Sequence, residues 1–416
     1  MNKSKQSFRW PLVNSGPSWT LPRISLPDYF SLQWDFPLEN WLIVGHATDT
    51  EGGEYSISLY IGRVASGGTQ VAVLGVGIGT AEDGAYYMAT VPGLGASDWF
   101  PLMALYVPPA TDFSSSVSFS NLFAQPPAGG SFVYEGGAGD AAVGIKGAPW
   151  SIAFSAGAGD AAKTPLSFEA TLIDDYGTVM EDQSGFNPPP QTVSGGLYNN
   201  EAAQPRLRIT SGTLAIGDRK VALAGGNLWN DRQVYTYDPA HPPSPSEPMY
   251  YGCWIPLMFD SGLSGVVSPG WPVAKEPGTQ WLSGRKLRVP PTGGHGNLFF
   301  APGTDRYNGG AFLTATGDDW DFDLNIFDPD HPDVSPHWRS PATQIVYCTK
   351  WWLRFHPALK RLWGVPDEVF LVPFAPGCEY VQKPAAPFWE GAGHIYADRA
   401  CTDRIGYCWI EQMGYN

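Results

Sequence analysis

Apolar and polar residues alternate along the chain wherever a period can be recognised. In EYSISLYIGRV, residues 54–64, Tyr55, Ile57 and Leu59 fall on one face, while a glutamate and two serines fall on the other. A period of two is typical of a strand with one buried face. The same pattern predicts further strands at residues 70–78, 166–173, 206–215 and 319–326.

One segment has a helix-like pattern. KWWLRFHPALKRLWG, residues 350–364, carries Pro357 at its middle, and an interior proline breaks a helix, so we expect at most a short helix there. The chain also contains 49 glycines, 39 prolines and 14% aromatic residues. Frequent turn residues among many aromatics favour short strands joined by turns, and the sequence therefore predicts an all-β protein.

The length of the chain favours two domains. At roughly 100 to 200 residues per domain, 416 residues suggest two units or one large one. Two passages rich in proline, glycine or serine could be linkers, at residues 124–149 and 237–248, and the second holds five prolines in twelve residues. Such a run disfavours both helix and central strand. We therefore place one domain at residues 20–243 and a second at 244–416.

The charge balance excludes several kinds of partner. The 40 acidic and 25 basic side chains leave a formal charge of −15, and no lysine or arginine cluster interrupts it. Such a surface repels phosphate backbones and anionic lipids, so nucleic acid is not an expected partner. The chain has no apolar stretch of 18 or more residues, so no membrane span is expected.

The cysteines, histidines and glycines give no sign of a metal or cofactor. Five cysteines without a CxxC pair, behind an N-terminus without a secretory apolar run, favour free thiols and a cytoplasmic location. The seven histidines lack HxH or HExxH spacing, so no metal site is predicted. The alternating glycines of LGVGIG, residues 74–79, lack the third glycine and the helix of a dinucleotide fingerprint, and no cofactor is expected.

Two positions could transfer protons. The run DDWDFDLNIFDPD, residues 318–330, alternates acids with apolar residues, which predicts a strand with one acidic face rather than a calcium loop. An acidic face is most often solvated, but if this one lines a cavity, Asp321 is a candidate acid or base. His46 ends the apolar strand WLIVGH, where an inward imidazole would be a satisfied core histidine or a proton carrier.

Four segments, taken in order, carry the pattern of a known family. They are FPLENWLIVGHATDTEGGEYSISLYIGR at 36–63, the block from GGLYNN to NDRQV at 195–234, DDWDFDLNI at 318–326, and the stretch from FWEGAGHIY to IEQMGY at 388–415. Together they resemble the AttH and carotenoid 1,2-hydratase family of lipocalin-like proteins, and more distantly the fungal decalin-forming Diels–Alderases. The resemblance spans almost the whole chain.

This resemblance implies two consecutive lipocalin-like antiparallel β-barrels or half-barrels packed together, and hydrophobic unsaturated substrates. The central motif of the family, Gly-x-x-Trp-x-Asp-His-Gln/Glu, falls on Trp229, Asp231 and Gln233, with Arg232 where the family usually has histidine. Arginine stays protonated near neutral pH and cannot shuttle a proton, so a general-acid role at that position would pass to Asp231.

Tryptophans stand close to potential proton donors at four places in the sequence. These are Trp41 with Glu39, Trp229 with Asp231, Trp320 with Asp321, and Trp389 with Glu390. An aromatic wall would bury a polyene and stabilise developing cationic carbon by about 0.5 to 2 kcal/mol per contact. A carboxylic acid in such a wall would stay protonated near neutral pH, because desolvation raises its pKa. Alternatively, these tryptophans fill two barrel cores and the carboxylates anchor strand ends.

The first hypothesis is a cofactor-independent lyase or isomerase that hydrates, dehydrates or cyclises a hydrophobic isoprenoid or polyketide-like molecule between the domains. Asp231 would donate or accept the proton, with Arg232 and Gln233 orienting it or a bound oxygen. Glu39, Asp321 and Glu390 are the reserve acids. The pocket would be shaped by Trp41, His46, Tyr198, Trp229, Trp320 and Trp389.

Two alternatives to acid catalysis remain open at this stage. A pericyclic catalyst of the Diels–Alderase kind would hold a folded polyene in a reactive shape without proton transfer. A lipocalin-like carrier would bind a hydrophobic ligand without chemistry, since a fold does not fix a function.

Overall fold

Strands account for nearly all of the regular structure. The computed structural model describes residues 38–66, 69–90, 132–138, 141–147, 150–157, 164–175, 179–180, 186–187, 197–237, 250–267, 270–272, 297–300, 312–315, 324–325, 337–354, 360–361, 364–380 and 388–413. Within these ranges Lys360 and Arg361 alone are helical, so the all-β prediction is confirmed. No helix among the described residues has the length and apolar character needed to cross a membrane.

The strands divide between two large sheets and one small ribbon. The first sheet contains β1 (Leu38–Asp49), β2 (Glu54–Ser66), β3 (Thr69–Thr80), β4 (Tyr86–Thr90), β5 (Phe132–Ala138), β6 (Ala141–Gly147), β7 (Trp150–Ala156), β8 (Leu166–Asp174), β9 (Val179–Met180), β10 (Phe186–Asn187), β11 (Leu197–Ile216) and β12 (Arg219–Tyr237). The second sheet contains β13 (Tyr250–Phe259), β14 (Ser264–Val267), β15 (Gly270–Pro272), β16 (Asn297–Phe300), β17 (Phe312–Ala315), β18 (Leu324–Asn325), β21 (Trp351–Arg354), β22 (Glu368–Pro373), β23 (Glu379–Tyr380), β24 (Phe388–Tyr396) and β25 (Arg404–Met413). The ribbon pairs β19 (His337–Arg339) with β20 (Val346–Cys348).

In each large sheet the strand that comes first in the chain pairs with the strand that comes last, β1 with β12 and β13 with β25. The first sheet follows the order β4-β3-β2-β1-β12-β11-β8-β7-β6-β5, with β9 and β10 attached to β11. The second follows β17-β16-β14-β13-β25-β24-β22-β21-β18, with β15 attached to β13 and β23 to β24. The pairings described in both sheets are antiparallel. The predicted fold class, two consecutive lipocalin-like antiparallel half-barrels packed together, is confirmed.

Alternation along the strands builds the core of the first half-barrel. On β8, Leu166, Phe168, Ala170 and Leu172 are buried, and the residues between them are exposed or partly exposed. Five stretches were predicted to be strands from their alternation, and four of them coincide with β2, β3, β8 and β11. Of the fifth stretch, residues 319–326, the structure describes only β18.

One prediction about irregular segments needs correction, and a second agrees with the structure. The supposed linker at 124–149 contains the β5–β6 hairpin, whose strands pair from Phe132 opposite Gly147 to Ala138 opposite Ala141. In the helix-like segment at 350–364, the structure describes β21 and, after Pro357, the helical residues Lys360 and Arg361, which agrees with the expectation of at most a short helix. The domain boundary after residue 243 lies outside the described residues and stays a prediction, with β12 and β13 on either side.

The strand β1 is buried on both faces because it lies between the two half-barrels. Trp41 and Ile43 point into the core of the first half-barrel, whereas Leu42 and Val44 pack against the second sheet. We call this contact region between the two sheets the seam. Its hydrophobic cluster contains Leu42, Val44, Ala203, Trp229, Trp254, Val266, Phe374, Ala392 and Trp409.

The strand β3 meets the second half-barrel with a row of glycines. Gly75, Gly77 and Gly79 share one face of β3, and Gly77 lies opposite Ser58 of β2. The Ser58 hydroxyl hydrogen-bonds the Tyr380 hydroxyl of the second sheet. These glycines do not form a dinucleotide-binding motif. Instead, their lack of side chains allows the second half-barrel to pack closely against β3.

Replacing Gly77 with alanine is expected to lower the free energy of unfolding by about 1 to 3 kcal/mol, as overpacking typically does. A Cβ atom there would lie within 3.0 Å of the hydroxyl oxygens of Ser58, Tyr86 and Tyr380. Urea unfolding followed by circular dichroism measures the change. Gly225→Ala is the matched control, because a Cβ atom at Gly225 meets no atom within 4 Å. Equal stabilities of the two variants would contradict the role given to the glycine row.

Candidate functional site

Three buried tryptophans lie together at the seam. Trp229 lies opposite Val44 on the seam side of β12, and its ring meets that of Trp254 edge to face, with centroids 6.1 Å apart. Trp409 lies opposite Ala392 on β25 and belongs to the same cluster. The seam therefore contains aromatic side chains from both half-barrels, as the sequence hypothesis of an aromatic wall between the domains requires.

The carboxyl group of Asp231 is fully buried on the seam side of β12. Asp231 is 0% exposed and lies opposite Leu42 of β1 and Ala203 of β11, which are both members of the seam cluster. The Gln233 side-chain amide donates a hydrogen bond of 2.7 Å to Asp231 Oδ2. Residues 231 and 233 share a face because side chains alternate along a strand. The Gln233 amide thus fixes the orientation of the carboxylate.

Arg232 points to the opposite face of β12, into the first half-barrel. It lies opposite Trp41, and its guanidinium carbon stands 4.7 Å from the centroid of that ring. Its Nη1 donates a hydrogen bond of 3.0 Å to the Gln233 carbonyl oxygen. The structure therefore brings Gln233 to Asp231, as expected, and carries the Arg232 guanidinium away from the seam with Trp41.

Glu390 lies beside a second buried acid on the seam side of the second sheet. Glu390 on β24 lies opposite Glu411 on β25, and Glu411 lies opposite Trp254 on β13. The two glutamates are 4% and 9% exposed. Burial, and secondly the charge of Glu411, raises the pKa of Glu390 well above its usual range, and the Trp409 indole partly offsets this rise. Glu390 therefore holds its proton to a higher pH than an exposed glutamate does.

Glu411 did not stand out in the sequence, although it lies in the closing IEQMGY segment. The spacing of the aromatic residues before it could have indicated Glu411, because Tyr407, Trp409 and Glu411 occupy every second position and so lie on one face of β25. Trp254 was also missed, since it has no acid next to it in sequence. The acid beside it is Glu411, which the sheet register supplies.

His46 lies at the seam but belongs to a different polar group. Its ring stacks on Tyr407 of the second sheet, with centroids 3.4 Å apart. Burial is the largest cause that lowers the pKa of His46 well below 6.5, followed by the charges of His394, Arg206 and Arg404. The imidazole is therefore neutral, which agrees better with a core histidine than with a proton carrier.

Glu54 connects the two half-barrels next to His46. Its carboxylate accepts a hydrogen bond of 3.1 Å from Tyr407, contacts His394 at 2.9 Å and forms an ion pair with Arg404 at 3.1 Å. From its sequence position, Glu54 was expected only on the polar face of a strand. The alternation along β2 and β1 places Glu54 and His46 on the seam face, where their contacts join the sheets.

The remaining predicted residues do not meet Asp231 among the described contacts. Trp389 lies on the face of β24 opposite to Glu390, where it packs against Trp351 and donates a hydrogen bond of 2.7 Å to the Pro376 carbonyl oxygen. Adjacent residues of a strand point to opposite faces, so proximity in sequence did not bring the Trp389 ring to Glu390.

Four predicted residues lie partly or wholly outside the described part of the chain. Asp321 and Trp320 are outside the described residues, and for Glu39 on β1 and Tyr198 on β11 only the strand position is described. Within the described ranges, His, Cys, Asp and Glu side chains form no group of three or more that could hold a metal ion. The described thiols of Cys378, Cys401 and Cys408 are free.

Comparison with known proteins identifies the fold. No protein-family model and no curated protein sequence matches the chain. Among solved structures, a Nitrosomonas europaea protein assigned as AttH has 16% identity and a TM-score of 0.60, over 95% of this chain and 98% of that one. The chain thus has the fold of that AttH protein, which is the fold implied by the sequence resemblance.

Two further solved structures are similar over most of their length. Kievitone hydratase from Nectria haematococca has 13% identity and a TM-score of 0.49, over 90% of this chain and 88% of that one. CghA in complex with Sch210972 has 12% identity and a TM-score of 0.43, over 90% and 87%.

Proposed function

We propose that this protein is a cofactor-independent lyase or isomerase that hydrates, dehydrates or cyclises a hydrophobic unsaturated isoprenoid or polyketide-like molecule at the seam. The observation that carries this proposal is the buried carboxyl group of Glu390, whose pKa is raised well above its usual range by burial and by the charge of Glu411, with the Trp409 indole as a hydrogen-bond partner. The sequence resemblance to carotenoid 1,2-hydratases supports the same class of reaction.

The seam has the chemical groups that acid-catalysed addition to an alkene needs. Tryptophan faces attract cationic carbon by about 0.5 to 2 kcal/mol per contact, and Trp229, Trp254 and Trp409 lie in the seam cluster. Apolar side chains around them would bury a polyene and exclude bulk water. Two carboxyl groups in different environments can act as an acid and a base in one site.

In the proposed hydration, Glu390 protonates one carbon of a double bond and leaves a carbocation on the other carbon. A water molecule adds to the cation through its oxygen, and Asp231 accepts the proton that this water releases. The net change is addition of one water molecule. Dehydration is the reverse of these steps. In a cyclisation, a second double bond replaces water, and Asp231 takes a proton from the resulting cation.

Incubation with candidate polyenes, followed by mass spectrometry, tests the function. A product heavier or lighter by one water indicates hydration or dehydration, and an isomer of unchanged mass indicates cyclisation. Product formation should fall when Glu390 is replaced with glutamine, because the amide cannot donate the proton. Glu82→Gln is the control, since Glu82 pairs with Arg219 on the surface. Unaltered ligand in every incubation would contradict the proposal and favour a carrier.

A further inference from the structure

We infer that Glu390 and Glu411 share a single proton and act as one unit, with Glu411 as the positioning residue that keeps this proton on Glu390. The inference deepens the proposed function, and its catalytic part rests on that function. The shared proton itself is a property of the protein without substrate. Glu411 therefore has a role that can be tested with or without turnover.

The register of the second sheet places the two carboxyl groups side by side. Glu390 and Glu411 are directly opposite on the antiparallel strands β24 and β25, and side chains at such positions have Cβ atoms about 4.5 to 5.5 Å apart. Both side chains are buried. Two carboxylates so close in a site of low dielectric constant do not both ionise near neutral pH, so one of them holds a proton.

Burial and the neighbouring charge favour Glu390 as the glutamate that holds the proton. Glu390 is 4% exposed and Glu411 is 9% exposed, so the charge is better solvated on Glu411. Burial and the Glu411 charge both raise the pKa of Glu390.

Two titratable groups on the β23 side of Glu390 are neutral. The pKa values of Tyr380 and Cys378 on the β23 side are both raised, first by burial and also by the charge of Glu390. Across the seam, β24 packs against β1 and β2, and the Asp231 carboxyl group lies one strand further along, on β12. A negative charge on Glu390 would thus be added beside the charge of Glu411, and neither Tyr380 nor Cys378 supplies a compensating positive charge.

Repulsion between the two glutamates explains how Glu390 regains its proton after each turnover. When Glu390 gives its proton to a double bond, both glutamates are briefly ionised beside a carbocation, and their charges stabilise that cation. Once the cation is quenched, repulsion between the two carboxylates favours the uptake of one proton from solvent. Asp231 releases its proton to solvent, so protons balance over the cycle.

Infrared spectroscopy of the ligand-free protein tests the shared proton directly, because a protonated carboxyl group absorbs apart from a carboxylate. We expect a protonated carboxyl band near pH 7 that is lost in Glu390→Gln. In Glu411→Gln the band should persist but titrate at lower pH, since a neighbouring negative charge is removed. Glu54→Gln is the matched control, because the His394 and Arg404 contacts lower the pKa of Glu54, and the band should be unchanged.

Unfolding measurements keep the inference testable if Glu411→Gln does not fold. A carboxyl group whose pKa is raised in the folded protein stabilises the fold below the pKa of the unfolded chain and loses this contribution as pH rises through the folded value. The wild-type protein should therefore lose stability above pH 4.5 as pH approaches the raised pKa of Glu390. In Glu390→Gln this decline should be smaller, because glutamine is neutral at every pH.

Failure of this inference can be distinguished from failure of the proposed function. The absence of a protonated band near pH 7, or an unchanged titration in Glu411→Gln, would overturn the shared proton even if turnover is observed. The expected spectra without any turnover would support the shared proton and reject the function. If the protein converts a substrate, kcat should fall at a lower alkaline pH in Glu411→Gln than in the wild-type protein, while KM stays nearly unchanged.

Discussion

Asp231→Asn is expected to lower kcat for hydration or cyclisation by about 10²- to 10⁴-fold, which is the usual contribution of a general acid or base. Asparagine cannot accept the proton that the attacking water or the cyclised cation must release. The side chain keeps its size, and the Gln233 amide that contacts Asp231 Oδ2 at 2.7 Å can still hold it in place. Rates measured by product mass spectrometry, with circular dichroism as a test of folding, check the prediction.

The matched control for this substitution is Asp175→Asn, because Asp175 forms an ion pair with Arg208 at the protein surface. An exposed pair contributes little to stability, so this variant should keep the wild-type rate. A wild-type rate in Asp231→Asn would remove Asp231 from the mechanism. If the product were an isomer of unchanged mass, that result would favour a pericyclic catalyst, which needs no proton acceptor.

The strands could be predicted from the sequence because their signal is local. On β2 and β8 each strand has one buried face, so the alternation of side chains is visible over a few residues. On β1 and β12 the signal is weaker, because both faces are buried. The sequence could predict the β1 strand but not that Trp41 and Leu42 serve different cores.

The site could be predicted only as far as it depends on residues close in sequence. Asp231 and Gln233 come together because they are two apart on one strand. Arg232 and Trp389 were grouped with neighbouring acids, and alternation sends their side chains to the other face. Glu390 meets Glu411 only through the register of β24 and β25, which a single sequence does not specify.

The glycines of β3 also show that contacts between distant chain segments cannot be predicted from a single sequence. LGVGIG overlaps the stretch 70–78, which the alternation predicts to be a strand. What approaches the glycine face of this strand is the Tyr380 hydroxyl, which comes from the other sheet and hydrogen-bonds Ser58. Contacts between the half-barrels depend on two chain segments that are distant in sequence, so the docking surface had to be learned from the structure.

Trp229→Ala is expected to lower the free energy of unfolding by about 3 to 5 kcal/mol, the usual cost of removing a large buried aromatic side chain. Trp229 is fully buried, and its ring contacts Trp254 of the other half-barrel at 6.1 Å between centroids. The substitution would therefore leave a cavity between the two sheets. Urea unfolding, followed by circular dichroism, measures the loss.

A second variant at this position, Trp229→Phe, distinguishes the contribution of Trp229 to stability from its contribution to catalysis. Phenylalanine keeps an aromatic face and most of the buried volume, so the loss of stability should be well below that of Trp229→Ala. If the seam stabilises a carbocation, Trp229→Phe should still reduce kcat, because tryptophan attracts a cation more strongly than phenylalanine. A loss below about 1 kcal/mol in Trp229→Ala would mean that the seam relaxes around the missing ring. Such a soft interface would not hold Asp231 and Glu390 in a fixed geometry for proton transfer.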